Sequence, residues 1–145
     1  VVGAARACLE ETHAYLMERT QFAGKPLASH QLIQNKLAWM ATEITGMELI
    51  AKRLGELKAA GRLKPVQVSL AKMNNCRKAL EVARTCRELL GANGISTEYH
   101  VGRRMCDLDG GDVRRDRAHP FTHPRPANDG HCCLRIRCLH KGEMT

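Results

Sequence analysis

Aromatic side chains are nearly missing: the 145 residues include one Trp, two Tyr and two Phe. A core built without them must come from Leu, Ile, Val, Met and Ala, which favours helix packed on helix. Long apolar runs are missing as well. No stretch approaches the roughly 18 to 20 residues that a spanning helix needs. No charged n-region with a small-residue cleavage site opens the chain, so a membrane is not an expected partner. Nor do the seven cysteines form a disulfide framework, being odd in number and irregular in spacing. Cys8, Cys76 and Cys86 stand singly within helical pattern, while Cys106, Cys132, Cys133 and Cys138 come later. This usage suits a reducing compartment.

The chain is long enough for one domain with a real core. It opens at Val1, already inside a helical pattern, and is expected to be the remainder of a longer protein. The net charge is +8, yet Arg and Lys are scattered and rarely cluster with aromatics, so no nucleic-acid partner is expected. A cationic groove for a nucleotide cofactor explains the charge as well as a merely basic surface does.

Residues 1–18 read as a helix, with Ala4, Ala5 and Ala7 giving way to Leu9, Tyr15, Leu16 and Met17. The stretch RTQFAGKPLASHQ breaks it through Gly24 and Pro26, with Ser29 as the expected N-cap of the next helix. Over 30–61, Ile33, Leu37, Met40, Ile44, Met47, Ile50, Leu54 and Leu57 recur at threes and fours, the stripe of one long helix. Gly61 and Pro65 close it. A third helix is expected over 65–90, with Pro65 in its first turn and Leu70, Met73, Cys76, Leu80, Ala83, Cys86 and Leu90 as its stripe. The glycines of GANG, 91–94, end it. The class is all-α: an antiparallel bundle of three long helices whose open face wants a fourth. From Gly102 onward no ten residues show a helical or strand period, and Pro120, Pro124 and Pro126 interrupt both. The expected division is therefore a helical part, 1–101, and an irregular basic tail, 102–145, rich in Cys, His and Pro.

Several motifs invite a chemical reading. HCCLRIRCLH, 131–140, holds zinc-ligand types, but adjacent Cys132 and Cys133 cannot easily share a tetrahedral site and no second Cys-x-x-Cys pair is near, so no metal is expected. A Cys/His nucleophile pair lacks an orienting group and an oxyanion hole. The arginine pairs of GRR and VRR suit a solvated segment. His13, His30 and His100 suit surface or capping roles. Two helix ends are more specific. ERTQF puts an arginine, a glutamine and an aromatic just before a Gly/Pro loop, and ELLGANG ends a helix in small residues that let a ligand approach the backbone. By pattern alone, both remain equally readable as ordinary helix ends.

ERTQF, KPLASHQLIQNKLAWMATEI and NNCRKALEVARTCRELLGANGISTEYHV together resemble the C-terminal helical domain of the acyl-CoA dehydrogenase family, in its glutaryl-CoA dehydrogenase branch. The resemblance covers residues 1 to about 101. It implies an FAD-dependent oxidoreductase: a glutamate base removes the α-proton of an acyl-CoA substrate, hydride passes to the flavin, and the glutaryl branch then decarboxylates. It also implies a homotetramer, an electron-transfer flavoprotein as electron acceptor, and residence in the mitochondrial matrix if eukaryotic or the cytoplasm if bacterial. Carried over by position, Arg19 resembles the arginine that meets FAD phosphates across the subunit interface, Phe22 its neighbouring aromatic, and Gln31 the cofactor-binding glutamine. Glu88, Leu89, Leu90, Gly91 and Ala92 resemble the stretch at the adenosine end of FAD, with Ala92 where glycine is usual.

Three departures accompany the resemblance. The other family domains are not in this chain, and the loop QFAGKPL is one residue longer than usual, with Ala23 the extra residue. The family's Tyr-Glu-Gly-Thr word, which carries the catalytic base, is absent, so no catalytic residue is expected within this chain. The codons of Gly-Asp-Val-Arg-Arg-Asp, 111–116, read one nucleotide later, permit Glu-Thr-Tyr-Glu-Gly-Thr. The next stretches permit the family's last helix in the same frame. A frameshift or misplaced exon edge between about Val101 and Gly110 is the expectation, and with it an inactive fragment. A non-catalytic helical interaction module with a basic tail is the alternative.

Overall fold

Four helices form because four apolar stripes can meet. The computed structural model describes residues 1–22 and 24–116, with side chains to residue 110. Helix α1 is Val2–Glu18, α2 is Gln31–Ala59, α3 is Pro65–Leu90 and α4 is Val101–Asp116. Between α1 and α2 lie two short antiparallel strands, β1 (Thr20–Gln21) and β2 (Lys25–Pro26), with Thr20 opposite Pro26 and Gln21 opposite Lys25, then a 3₁₀ turn, Leu27–Ser29. A second 3₁₀ turn, Gly91–Ile95, joins α3 towards α4.

The central element is α3, which packs against α1, α2 and α4. Its stripe is therefore wider than one face: Ala71, Asn75, Cys76, Ala79, Leu80, Val82, Ala83, Cys86 and Leu90 are buried. Small residues at 79, 83 and 86 let three neighbours approach one helix closely. In contrast, α2 buries only Met40, Ile44 and Met47 fully. Asn75 is the polar exception, and it is satisfied because its Nδ2 donates to the Met47 carbonyl at 3.2 Å. Pro65 occupies the first turn of α3, where its missing N–H costs nothing. Gln67 Oε1 accepts the Lys64 backbone N–H at 3.0 Å and closes that helix start.

Two expectations change. Helical structure does not stop at Val101, since α4 continues to Asp116. Where its side chains are described, its apolar stripe is Val101, Met105 and Leu108, an i, i+4, i+7 set diluted by charges and glycines, with Val101 fully buried and the other two packing against the core. A stripe that weak holds a helix only when a core is waiting for it. Secondly, Ser29 is not an N-cap. The N-cap is His30, with no side-chain cap bond, while Ser29 ends the preceding turn and its hydroxyl donates to the Pro26 carbonyl at 2.7 Å. The tail motifs at 117–145, including HCCLRIRCLH, and the extra loop residue Ala23 lie outside the described residues.

Candidate functional site

The end of α1, the start of α2 and the end of α3 come together at one end of the bundle. Arg19 caps α1, its N–H donating to the Tyr15 carbonyl at 2.9 Å and its own carbonyl accepting from Leu27 at 2.8 Å. The chain then turns through the β1–β2 hairpin and enters α2 at Gln31. Lys36, early in α2, pairs with Glu88 near the end of α3 at 3.4 Å. The side chain of Asn93, in the turn after α3, donates to the Tyr15 hydroxyl at 3.3 Å. Arg19, Gln31 and the 88–92 stretch, separate in sequence, thus share one region.

That region has the chemistry of an anion site. Among the described residues no carboxylate pairs with the exposed guanidinium of Arg19. The first turn of the 29-residue α2 carries no acidic residue and its N-cap offers no side-chain bond. The first N–H groups of such a helix and its positive dipole end favour a phosphate or carboxylate. Phe22 holds φ 51°, a left-handed conformation rare outside glycine. Its ring is 74% exposed and meets the His30 ring edge-on at 5.6 Å. Nε2 of His30 is buried with no hydrogen-bond partner. A flat aromatic held outward beside a free guanidinium and an uncapped helix start fits a ligand that is part planar and part anionic.

The 88–92 stretch divides in two. Gly91 has φ 59°, which lets α3 end abruptly, and Gly91 and Ala92 are exposed. Leu90, however, is 2% exposed and belongs to the core, and Leu89 packs partly against it. Their side chains anchor the stretch while the backbone at 91–92 is what can face a ligand. Sequence reasoning missed Tyr15, Lys36 and Asn93. Asn93 sat within the quoted GANG motif, but nothing in its pattern pointed to α1.

Two close approaches fix the turn. A Cβ on Gly94 would stand 2.4 Å from the Arg87 carbonyl, and one on Gly102 would stand 2.7 Å from the Gly94 carbonyl. On the other side, Glu11 of α1 accepts from the His100 backbone N–H at 2.9 Å and from Arg104 Nη1 at 2.7 Å. The Tyr15 and Tyr99 rings meet edge-on at 5.5 Å.

The described cysteines are poor nucleophile candidates. Burial pushes the Cys86 thiol up to about 12, against a lowering contribution from the Thr12 hydroxyl. Burial likewise raises Cys8, opposed by Arg104. Cys86 Sγ lies 3.5 Å from Met40 Sδ in a dry core. Cys106 is exposed. Among the described residues no group of three His, Cys, Asp or Glu side chains is arranged to hold a metal, and no helix is long and apolar enough to cross a membrane.

Residues 1–111 match the profile of "Acyl-CoA dehydrogenase, C-terminal domain". The chain belongs to the acyl-CoA dehydrogenase family. It is 39% identical over 103 residues to a glutaryl-CoA dehydrogenase of Desulfococcus multivorans, which covers 70% of this chain and 26% of that protein. A crystal structure of glutaryl-CoA dehydrogenase from Mycobacterium smegmatis superposes with a TM-score of 0.73 at 50% identity, over 75% of this chain and 28% of the other. A second glutaryl-CoA dehydrogenase structure from that organism, in complex with FADH2, gives 0.72 at 45% identity over the same shares. The chain thus spans about a quarter of the length of these relatives. It corresponds to the helical C-terminal domain of an acyl-CoA dehydrogenase.

Proposed function

We propose that this chain is the C-terminal part of an FAD-dependent, glutaryl-CoA-type dehydrogenase, and that Arg19, Phe22, Gln31 and the 91–92 backbone hold the phosphate and adenosine portions of FAD. The observation that carries this reading is the convergence of Arg19, Gln31 and Glu88–Ala92 at one bundle end with an unpaired guanidinium and an uncapped helix start. The Arg19 fork suits phosphate oxygens. The N–H groups at the start of α2 add donors, and Phe22 offers a face for a planar group. In the whole enzyme, bound flavin would supply the hydride acceptor for the acyl-CoA. This chain's residues position and neutralise the nucleotide end and supply no proton-transferring group.

In the reading frame as given, the catalytic word is missing, and a one-nucleotide shift over 111–116 supplies it. The base's codon would then overlap those of Arg114 and Arg115, and neither arginine inherits its role. The isolated chain is therefore an inactive fragment that retains FAD poorly. Homotetramer assembly and electron transfer to a flavoprotein belong to the whole enzyme, in a mitochondrial matrix or a bacterial cytoplasm according to its host. Two measurements test this. Purified chain should reduce no dye with glutaryl-CoA, and stoichiometric FAD retained through gel filtration would count against the fragment reading. Sequencing transcript and genomic DNA across codons 101–116 should reveal the slipped frame, and an uninterrupted frame matching the chain would remove it.

A second reading, a non-catalytic helical interaction module, draws on the far end of the α2–α3 hairpin, where Leu49, Val66 and Leu70 are exposed. Stable monomeric folding of the chain on its own would favour it over the fragment reading.

A further inference from the structure

Tyr15 makes three connections that no motif suggested. Its carbonyl accepts the Arg19 N–H at 2.9 Å, its hydroxyl accepts from Asn93 Nδ2 at 3.3 Å, and its ring meets Tyr99 edge-on at 5.5 Å. Arg19 belongs to one half of the candidate site and Asn93 to the turn that carries the other half, Gly91 and Ala92. One ion pair, Lys36–Glu88 at 3.4 Å, ties the start of α2 to the end of α3, and among the described residues none reaches the Gly91–Ala92 turn itself. One helical turn before Tyr15, Glu11 holds the start of α4 through the His100 N–H and Arg104. One face of α1 therefore grips the 91–101 connection at both of its ends.

The turn itself is stiff. It is wedged against the Arg87 carbonyl through Gly94, and Gly102 of α4 closes on it from the other side. A stiff turn can be displaced only as a body, and its attachment to α1 runs through Tyr15 and Glu11. We infer that Tyr15 is a positioning residue that sets the distance between the Arg19 corner and the Gly91–Ala92 backbone, so that both engage one dinucleotide. This rests on the nucleotide-site reading above. Neither the phenol nor its partners need touch the ligand, since register alone is at stake: a ligand bound at two places gains from both only when their spacing is fixed in advance.

The test uses the isotope-labelled full chain titrated with FAD, following the Arg19 Nε–H and the Gly91 and Ala92 amide resonances. In the unsubstituted chain all three should shift with a single midpoint, weak but saturable. Tyr15→Phe removes the hydroxyl and keeps the ring, and should weaken the Gly91 and Ala92 response about threefold while leaving Arg19 nearly unchanged, roughly one lost hydrogen bond. Tyr15→Leu removes both contacts and should separate the two midpoints by about tenfold. Ile50→Val, at the far end, lowers stability without touching the α1 grip and should leave the midpoints together, which separates positioning from general loosening. If the unsubstituted chain responds at all three groups and both Tyr15 variants keep one shared midpoint, the positioning role is overturned while the site reading stands. If FAD moves none of the three in the unsubstituted chain, the site reading fails and this inference fails with it.

Discussion

The two ends of the α2–α3 hairpin are made of similar residues and behave differently. At the end that carries Arg19 and Gly91, α1 and α4 cover the hairpin, glycines sit against carbonyls, and Glu11 and Tyr15 join the elements. At the other end, Leu49 is 62% exposed and Val66 54%, and Leu49, Ile50, Leu54, Leu57, Leu70 and Ala71 line an open groove of about 530 Å³. The difference follows from lengths. At 1.5 Å per residue, α2 with its 29 residues runs about 44 Å and α1 with its 17 about 26 Å. Arg6, in the first turns of α1, pairs with Glu48, so most of α2 beyond that point has no α1 beside it. The same apolar period is a core where a third helix reaches and a surface where none does.

Substitutions at matched positions can break that contrast, and the largest effect is expected at Gly94. Gly94→Val places a side chain against a backbone carbonyl, and a loss of about 3 kcal/mol in urea unfolding is expected. A loss below about 1 kcal/mol would mean that the turn is not wedged. Met40→Ala, at a fully buried core position, should cost about 3 kcal/mol through its cavity. Leu54→Ala, half-buried at the open end, should cost about 1 kcal/mol or less by the same measurement.

Alkaline titration probes the covered end. The folded Cys86 thiol is held near 12 against an ordinary 9.0, so above pH 9 the unfolded chain loses a proton that the folded chain keeps. The contribution is complete below pH 9 and is lost as pH rises from about 9 towards 12, with a slope approaching 1.4 kcal/mol per pH unit. Cys86→Ala should reduce that slope while the buried Cys8 thiol keeps its share, and an unchanged slope would locate the alkaline loss elsewhere. Glu11→Gln should lower stability by about 1 kcal/mol, since it weakens two bonds to a partly exposed carboxylate. Amide exchange should then accelerate at Arg104 and its neighbours before it does in α2. The smallest expected effect is a gain. Gly55→Ala, with open space around a new Cβ near the C-terminal end of α2, should stabilise by about 0.8 kcal/mol.

Much of this was legible in the chain. The boundaries of α1, α2 and α3 follow from their apolar periods, from Gly24 and Pro26, and from Pro65 and Gly91, because each of those signals is local. Arg19, Phe22, Gln31 and the 88–92 stretch were legible as words, since ERTQF and ELLGANG keep their spacing. The first turn of α2 was not. Ser29 is the stronger N-cap residue, yet the chain caps at His30 because the hairpin and the Leu27–Ser29 turn set where α2 can begin. The helical character of 101–116 was also hidden. Three apolar residues among glycines and charges do not declare a helix until they have a core to enter.

By itself the sequence determined an aromatic-poor, all-helical chain, its three long helices and its family. Each of these depends on residue type and on neighbours within a few positions. The tertiary structure alone decided that Leu90 is an anchor while Gly91 and Ala92 are exposed, that α4 forms, and that Tyr15 links Arg19 to the turn carrying Asn93 across 78 positions of sequence. Those outcomes depend on which helices are long enough to reach one another, a property of packing that no local period carries.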